Sequence, residues 1–212
     1  MRRPVCGIVL LFGLTLAAQE AATHPVTFED GLAFSAIFQP RSTLIEGGYT
    51  LSRHIAVGST YARIQTEDGG IHAGFAHLNA LVFRHNGSGS QGNLYLSAGA
   101  GGGLYDDEVA ELGYASLQLD YETMRFYTAL MSRAVSDGSA LKYRATYRIG
   151  FAPYVAPYNS LQSWLVAQTM YMPEMNDDLN FMLLLRFFYK TVLWELGGDL
   201  NGLPWIQMMV HY

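Results

Sequence analysis

The stretch Leu141–Phe151 reads LKYRATYRIGF, and its alternation decides the fold class. Its odd-numbered positions are apolar or small, and its even-numbered positions are polar or charged apart from Gly150. A period of two is typical of a β-strand with one apolar and one polar face. A helix would mix the two sets, because helical faces repeat every ~3.6 residues. The stretch therefore predicts a strand.

The same alternation recurs elsewhere in the chain. It is clear in Leu94–Tyr105, Ala115–Glu122 and Leu179–Lys190, whereas Ile55–Ile64 and Ile71–Arg84 carry apolar or small residues on both faces. No segment after the N-terminus is long and apolar enough for a transmembrane helix, which needs about 20 residues. The chain is therefore expected to be all-β.

Strand candidates number twelve, of which the first and the eleventh are weak. They are Gly31–Phe38, Thr43–Leu51, Ile55–Gln65, Ile71–His85, Leu94–Tyr105, Gly113–Glu122, Phe126–Val135, Leu141–Val155, Leu161–Tyr171, Leu179–Lys190, Val192–Leu196 and Leu203–Tyr212. Bacterial barrels have even strand numbers, so eight or ten strands stay open. We expect an antiparallel transmembrane β-barrel of twelve strands. A soluble β-sandwich that binds a ligand in the periplasm is the alternative.

The connections between the runs favour the membrane barrel. Tight turns are expected near Ser52–Arg53, Thr123–Arg125, Pro157–Asn159 and Lys190–Thr191, and they alternate with longer loops that are acidic or rich in glycine. Short turns at one rim and longer loops at the other are typical of transmembrane barrels. Because twelve strands leave few residues for loops, a large binding partner is not expected.

Aromatic residues near the strand ends favour the same architecture, since membrane barrels carry aromatic girdles at both interfaces. The candidates are Tyr49, Tyr61, Tyr95, Tyr105, Tyr171, Tyr189, Trp194 and Trp205. The strand candidates are also close to the length of roughly 9–11 residues with which a tilted strand crosses a bilayer.

The N-terminus predicts export. Arg2 and Arg3 precede a short apolar run, which is followed by small residues around Ala17 and Ala18. This order is typical of a secretory signal peptide. We expect residues 1–18 to be the signal peptide and residues 19–212 to form a single barrel domain in the outer membrane.

The composition excludes several classes of protein. Cys6 is the one cysteine and would leave with the signal peptide, so neither a disulfide nor a thiolate metal site is expected. Loss of Arg2 and Arg3 changes the formal charge from −5 to about −7. A net negative charge disfavours nucleic acid as a partner.

The last residues form a further pattern, in which Ile206, Met208, Val210 and Tyr212 occupy alternate positions up to an aromatic terminus. This ending resembles the C-terminal assembly signal of Gram-negative outer-membrane β-barrel proteins. The resemblance implies outer-membrane lipid and the assembly machinery as partners. Two features depart from the usual pattern, because the terminal residue is Tyr rather than Phe and Pro204 stands at the next alternate position.

Polar residues of the strand faces are the candidates for lining the lumen. Those that we expect there are Gln118, Asp120, Glu122, Arg133, Lys142, Arg144, Arg148, Arg186, Lys190 and Glu195, with Glu46 and Asn180. One interpretation is a structural network of paired charges that plugs a small barrel. The other is a narrow passage or ligand cavity that favours anions. Gly99, Gly101 and Gly103 would either open space or ease the curvature of the wall.

Two further functions are open alternatives. Met170, Met172 and Met175 could bind Cu(I), because soft sulfur ligands select it. A membrane-embedded lipid hydrolase would need a nucleophile beside a base, and the histidines show no such constellation; His72 and His77 face opposite sides of one strand. We expect a structural barrel or a narrow passage for small solutes or metal ions, without a cofactor and without enzymatic activity.

Overall fold

The computed structural model describes residues 24–65, 70–105, 108–173 and 176–212, so the predicted signal peptide lies outside the described residues. Twelve strands follow one another along the chain: β1 Leu32–Gln39, β2 Ser42–Ser52, β3 Ile55–Gln65, β4 Gly70–Gly87, β5 Ser90–Tyr105, β6 Glu108–Thr123, β7 Phe126–Ser136, β8 Leu141–Phe151, β9 Gln162–Met172, β10 Asn176–Tyr189, β11 Val192–Asp199 and β12 Pro204–His211. Within the described ranges, no helix has the length and apolar character to cross a membrane.

The strands form one closed antiparallel barrel in which each strand pairs with its neighbours in sequence. The wall closes where β1 pairs with β12, with Ala33 opposite His211 and Phe38 opposite Ile206. The backbone amide of Tyr212 also donates to the carbonyl of Leu32 at 2.8 Å. Closure pairs the backbone groups that a free edge would leave exposed. The twelve-stranded antiparallel barrel is confirmed, and the smaller strand numbers are excluded.

The exterior of the barrel is apolar, whereas the interior contains both polar and apolar side chains. Along β10, Leu183 is 65% exposed whereas Arg186 is 1% exposed. Along β8, Ile149 is exposed and Arg148 is buried. Successive side chains of a strand point to opposite faces, so the exposed set covers the outside of the wall. A soluble sandwich would place these apolar side chains inside, and the structure therefore excludes that alternative.

Aromatic side chains surround parts of the exterior, although two candidates are wrong. Tyr49, Tyr189 and Trp194 are exposed on the outer face. Tyr95 and Trp205 point inward instead and are 1% and 5% exposed. The Tyr95 hydroxyl accepts a hydrogen bond from Arg84 at 3.1 Å, and Trp205 packs in the interior, so both rings fill the barrel.

The two ends of the barrel differ. The first, here called the turn end, carries the described start and end of the chain, the turns around residues 53, 88, 124 and 190, and the segment 152–161. The second, the loop end, carries the described connections at residues 40–41, 137–140 and 200–203. The turn expected at Pro157–Asn159 is present, since Ser160 N donates to the Pro157 carbonyl at 2.9 Å. It lies within a longer connection than expected, because β8 already ends at Phe151.

The glycines of β5 ease the curvature of the wall. A Cβ at Gly101 would collide with the carbonyl oxygen of Gly74, and a Cβ at Gly99 would collide with that of Ala76. Both obstacles are backbone atoms of β4, which cannot move aside as a flexible side chain can. The glycines thus allow a close backbone approach rather than simply opening space in the lumen.

Replacement of Gly101 with alanine is expected to destabilise the barrel by about 1–3 kcal/mol, because the strands must separate to admit the methyl group. Gly102→Ala is the matched control, since the nearest atom to its Cβ on the outer face lies at 3.5 Å. Urea titration of both variants in detergent micelles measures the effect. Equal midpoints for the two variants would contradict this explanation.

Candidate passage through the barrel

The interior is densely packed on one side, where β7 to β12 meet. An apolar cluster there contains the buried side chains Tyr127, Ala129, Ala152, Trp164, Val166, Met170, Met182, Leu184 and Trp205. Arg186 lies against it, with its guanidinium 4.6 Å from the centre of the Tyr127 ring. These side chains fill their part of the lumen, so any passage must follow the opposite wall.

A buried ion network fixes the packed side. Glu195 accepts a hydrogen bond from Arg186 Nε at 2.6 Å and another from Arg148 Nη2 at 2.5 Å. All three side chains are at most 4% exposed. Two guanidinium groups share one carboxylate, and the Tyr127 hydroxyl and ring add a further acceptor and a cation–π contact for Arg186. This network is the structural arrangement of paired charges that the sequence predicted as one of two interpretations.

A cavity of ≈490 Å³ opens toward the loop end on the other side of the barrel. We call it the vestibule. Its walls combine apolar and polar side chains, among them Thr60, Phe75, Tyr114, Arg133, Val135, Asp137, Lys142, Tyr143, Arg144 and Met172. The volume falls in the range of roughly 300–1,000 Å³ that is usual for small-molecule sites.

An ion pair across the lumen forms the floor of the vestibule. Arg133 Nη2 on β7 lies 2.8 Å from Glu46 Oε1 on β2. We call this pair the constriction. Arg144 is the β8 register partner of Arg133, and both side chains line the vestibule. Among the described residues, no carboxylate lies within ion-pair distance of Arg144. With Arg144 beside it, the constriction therefore lies in a region that has more positive than negative charge.

The mouth of the vestibule carries an acid that stays ionised. Asp137 Oδ1 accepts hydrogen bonds from the backbone amides of Ala140 and Ser139 and from the Ser139 hydroxyl, at 2.9, 2.8 and 2.7 Å. These donors lower the pKa of Asp137 to about 2, with the Ala140 amide first among the causes. The turn at residues 137–140 therefore gains stability from the charge above the ordinary pKa of the carboxyl, and loses it as the pH falls toward 2.

A smaller cavity of ≈60 Å³ lies beyond the constriction. Arg133 and Tyr114 line both cavities, so the constriction separates them. The lining of the small cavity includes the polar side chains Ser35, Glu46, His77, Asn79, Ser97, Ser116, Gln118 and Ser132. A path along the wall from β2 to β7 thus runs from the vestibule toward the turn end, through hydroxyl, amide and imidazole groups.

The chain itself occupies the turn end of this path. Residues 24–31, here called the N-terminal segment, precede β1 and enter the barrel. His24 is 2% exposed, and its Nε2 lies 3.6 Å from Asp120 Oδ2. Asp120 also accepts hydrogen bonds from Asn93 at 2.7 Å and from Gln118 at 3.2 Å. Asp120, Asn93 and Gln118 on β5 and β6, here called the polar seat, therefore contact the start of the described chain through Asp120.

The predicted lumen residues fall into three groups and one exception. Gln118, Asp120 and Glu122 are buried near the turn end, Arg133, Lys142 and Arg144 face the vestibule, and Arg148, Arg186 and Glu195 form the packed network; Lys190 does not line the lumen. It lies in the exposed turn between β10 and β11 with φ 54°, and its ammonium lies over the Tyr189 ring. The alternation of Leu179–Lys190 runs one residue past the strand.

Sequence reasoning missed the N-terminal segment, His77 and Tyr114. Tyr114 stands just before the Ala115–Glu122 alternation and continues its inward face, which would have been a usable signal. His77 belongs to a stretch with apolar residues on both faces. Its imidazole contacts the Thr60 hydroxyl at 3.0 Å and Asn79 Oδ1 at 2.9 Å, which fixes the ring beside Tyr114.

The methionines give the copper interpretation no support. Met170 is 6% exposed and packs in the apolar cluster, whereas Met172 lines the vestibule. Met175 lies outside the described residues. Within the part of the chain that the structure describes, no group of three His, Cys, Asp or Glu side chains could hold a metal ion.

Comparison with solved structures places this fold beside two porin structures. One is described as "KdgM porin in complex with disordered oligogalacturonate", is 11% identical with a TM-score of 0.51, and covers 86% of this chain and 98% of its own. The other, a KdgM porin, is 12% identical with a TM-score of 0.50 and the same coverage. No protein-family model matches the chain, and no curated protein matches it. The likeness shows a shared barrel fold.

Proposed function

We propose that this protein is an outer-membrane channel for small anionic solutes and not an enzyme. The observation that carries the proposal is the constriction, where Arg133 and Arg144 stand side by side on a polar path and Glu46 is their one described carboxylate partner. The apolar exterior supports a position in a bilayer, and the likeness in fold to porins supports a channel. Residues 1–18 would then serve as the export signal, and residues 19–212 as the barrel.

The charge of the constriction should decide which ions pass. Arg133 and Arg144 stand where the lumen is narrow and partly screened from bulk water, and charges act strongly in such a place. Acids at the mouth, such as Asp137, are exposed to solvent. At physiological ionic strength their field decays within about 8 Å, so it is weaker at the constriction.

The solute class follows from the chemistry of the guanidinium group. Its planar set of donors matches a carboxylate, and Lys142 adds a further cation to the vestibule wall. The oligogalacturonate named for the similar porin is built of carboxylated sugars. We infer that carboxylated small solutes enter the vestibule, with Tyr114 as a ring on which a sugar could pack.

Assembly in the outer membrane is part of the same proposal. Ile206 and Met208 in β12 point outward and are 48% and 38% exposed, and Tyr212 is 85% exposed beyond the strand. The assembly machinery would thus find the side chains of the predicted signal on the outer face. Val210 is half-buried at the seam with β1.

Current through planar lipid bilayers under a KCl gradient tests the channel. The wild-type protein is expected to give a reversal potential that shows chloride passing more readily than potassium. Arg144→Ala should move that potential toward potassium, because it removes the cation that has no described carboxylate partner. We expect the permeability ratio to fall several-fold.

Arg63→Ala is the matched control, because Arg63 is exposed on β3 and its removal takes away the same charge outside the lumen. Its reversal potential should equal that of the wild type. A cation-selective wild type, or an Arg144→Ala variant with unchanged selectivity, would overturn the proposed role of the constriction.

A further inference from the structure

We propose that the N-terminal segment is a displaceable plug that closes the turn end of the passage. It would be a second closure, in series with the Arg133–Glu46 constriction. The inference rests on the proposed channel, because a plug matters only where a solute passes.

The segment crosses the opening instead of following the wall. Val26 has no exposed surface and belongs to a buried cluster with Ala56, Leu81 and Tyr95, which lie on β3, β4 and β5. Its neighbour Thr27 lies against β2, where its hydroxyl is 3.0 Å from that of Thr50. A short piece of chain thus contacts several strands at once from within the lumen.

The attachment of the segment differs along its length. Near its base, Asp30 N donates to the Thr50 carbonyl and Thr50 N donates to the Gly31 carbonyl, each at 2.9 Å. Further out, Thr27 N donates to a side chain, the Thr50 hydroxyl, at 3.1 Å. A strand held by a regular ladder cannot leave without breaking the sheet, but a segment held mainly by side chains can open locally.

The chain turns sharply at the base of the segment. Asp30 adopts φ 62°, the left-handed region that non-glycine residues seldom occupy, and β1 begins at Leu32. Because the base stays bonded to Thr50, movement of residues 24–27 would leave the β1–β12 pairing of the wall intact. The polar seat of Asp120, Asn93 and Gln118 would then face the water that replaces His24.

Withdrawal of the segment would lengthen the path. His24 and Pro25 form part of the wall of the ≈60 Å³ cavity, and Glu46 and Arg133 form another part. Without His24 and Pro25, that cavity would open to the turn end. A solute that passes the constriction would then reach the far side of the membrane.

A disulfide between positions 27 and 50 tests the plug directly. The Thr27 and Thr50 hydroxyl oxygens are 3.0 Å apart, so Thr27→Cys with Thr50→Cys places two sulfurs close to the roughly 2.0 Å of a disulfide. Cys6 is the one native cysteine and lies in the predicted signal peptide, so no other thiol is expected to compete. The oxidised protein should show at least a ten-fold lower open probability in planar bilayers than the same protein after reduction.

Single Thr27→Cys is the control, since it cannot form the intramolecular bond and should not respond to reductant. Equal currents from the oxidised and reduced double variant would contradict the proposal of a plug without contradicting the proposal of a channel. If neither form of the double variant nor the wild type conducts, the proposed channel is wrong. Thiol labelling of Val26→Cys then tests whether the N-terminal segment leaves the lumen. Labelling of the folded barrel would support displacement, and full protection would overturn it.

Discussion

Replacing Glu195 with alanine is expected to cost the barrel about 3–5 kcal/mol in its free energy of unfolding, because two guanidinium groups would remain buried without their carboxylate. Glu195 has no exposed surface, and it holds Arg186 and Arg148 at 2.6 and 2.5 Å. Neither arginine has a solvated alternative inside the packed side of the lumen. Few single substitutions in this chain should be as damaging.

Urea titration in lipid vesicles, followed by tryptophan fluorescence, measures this loss. Glu195→Gln should fall between the alanine variant and the wild type, since the amide oxygen still accepts hydrogen bonds but carries no charge. Glu29→Ala removes an exposed carboxylate and serves as the control. If the Glu195 and Glu29 alanine variants unfold at the same urea concentration, the network does not stabilise the fold.

A positive charge on the outer face is the second large effect. Leu183 lies near the middle of β10 and is 65% exposed. If the exterior contacts lipid, Leu183→Arg should destabilise the barrel by about 2–4 kcal/mol, because a cation at the bilayer midplane loses its hydration. In a protein with its apolar face in water, the same substitution would cost almost nothing.

Leu179→Arg provides the matched comparison for this substitution. Leu179 lies on the same face of the same strand, closer to the loop end, and is 56% exposed. A charge near the interface is expected to cost only about 0–1 kcal/mol. Unfolding in vesicles should therefore separate the two variants, whereas equal stabilities would mean that the exterior does not span a bilayer as we describe.

Much of the wall of the barrel could be predicted from the sequence, because the alternation within a strand is a local signal. Alternation in Leu141–Phe151 shows which residues share a face. The contrast between short turns and longer loops shows that the two ends of the barrel differ. Alternation does not show which face is inside when both carry aromatic rings. The predicted girdle therefore includes Tyr95 and Trp205, although both side chains fill the interior.

The contents of the lumen were harder to predict, because they depend on pairs that are distant in sequence. Alternation identified Arg133 and Glu46 as lumen candidates, but nothing local indicates that they meet across the barrel. The N-terminal segment has no periodic pattern at all, and its contact between Thr27 and Thr50 exists only once the barrel closes. The prediction that Lys190 lines the lumen is wrong for a local reason. Lys190 itself has a positive φ and belongs to the turn, so the strand ends at Tyr189.

Gel mobility of protein from the outer-membrane fraction, boiled against unboiled in detergent, tests the central claim most directly. A closed barrel embedded through its apolar exterior should fractionate with outer membranes and migrate differently after boiling. A protein found in the soluble periplasmic fraction, with the same mobility before and after boiling, would contradict the account.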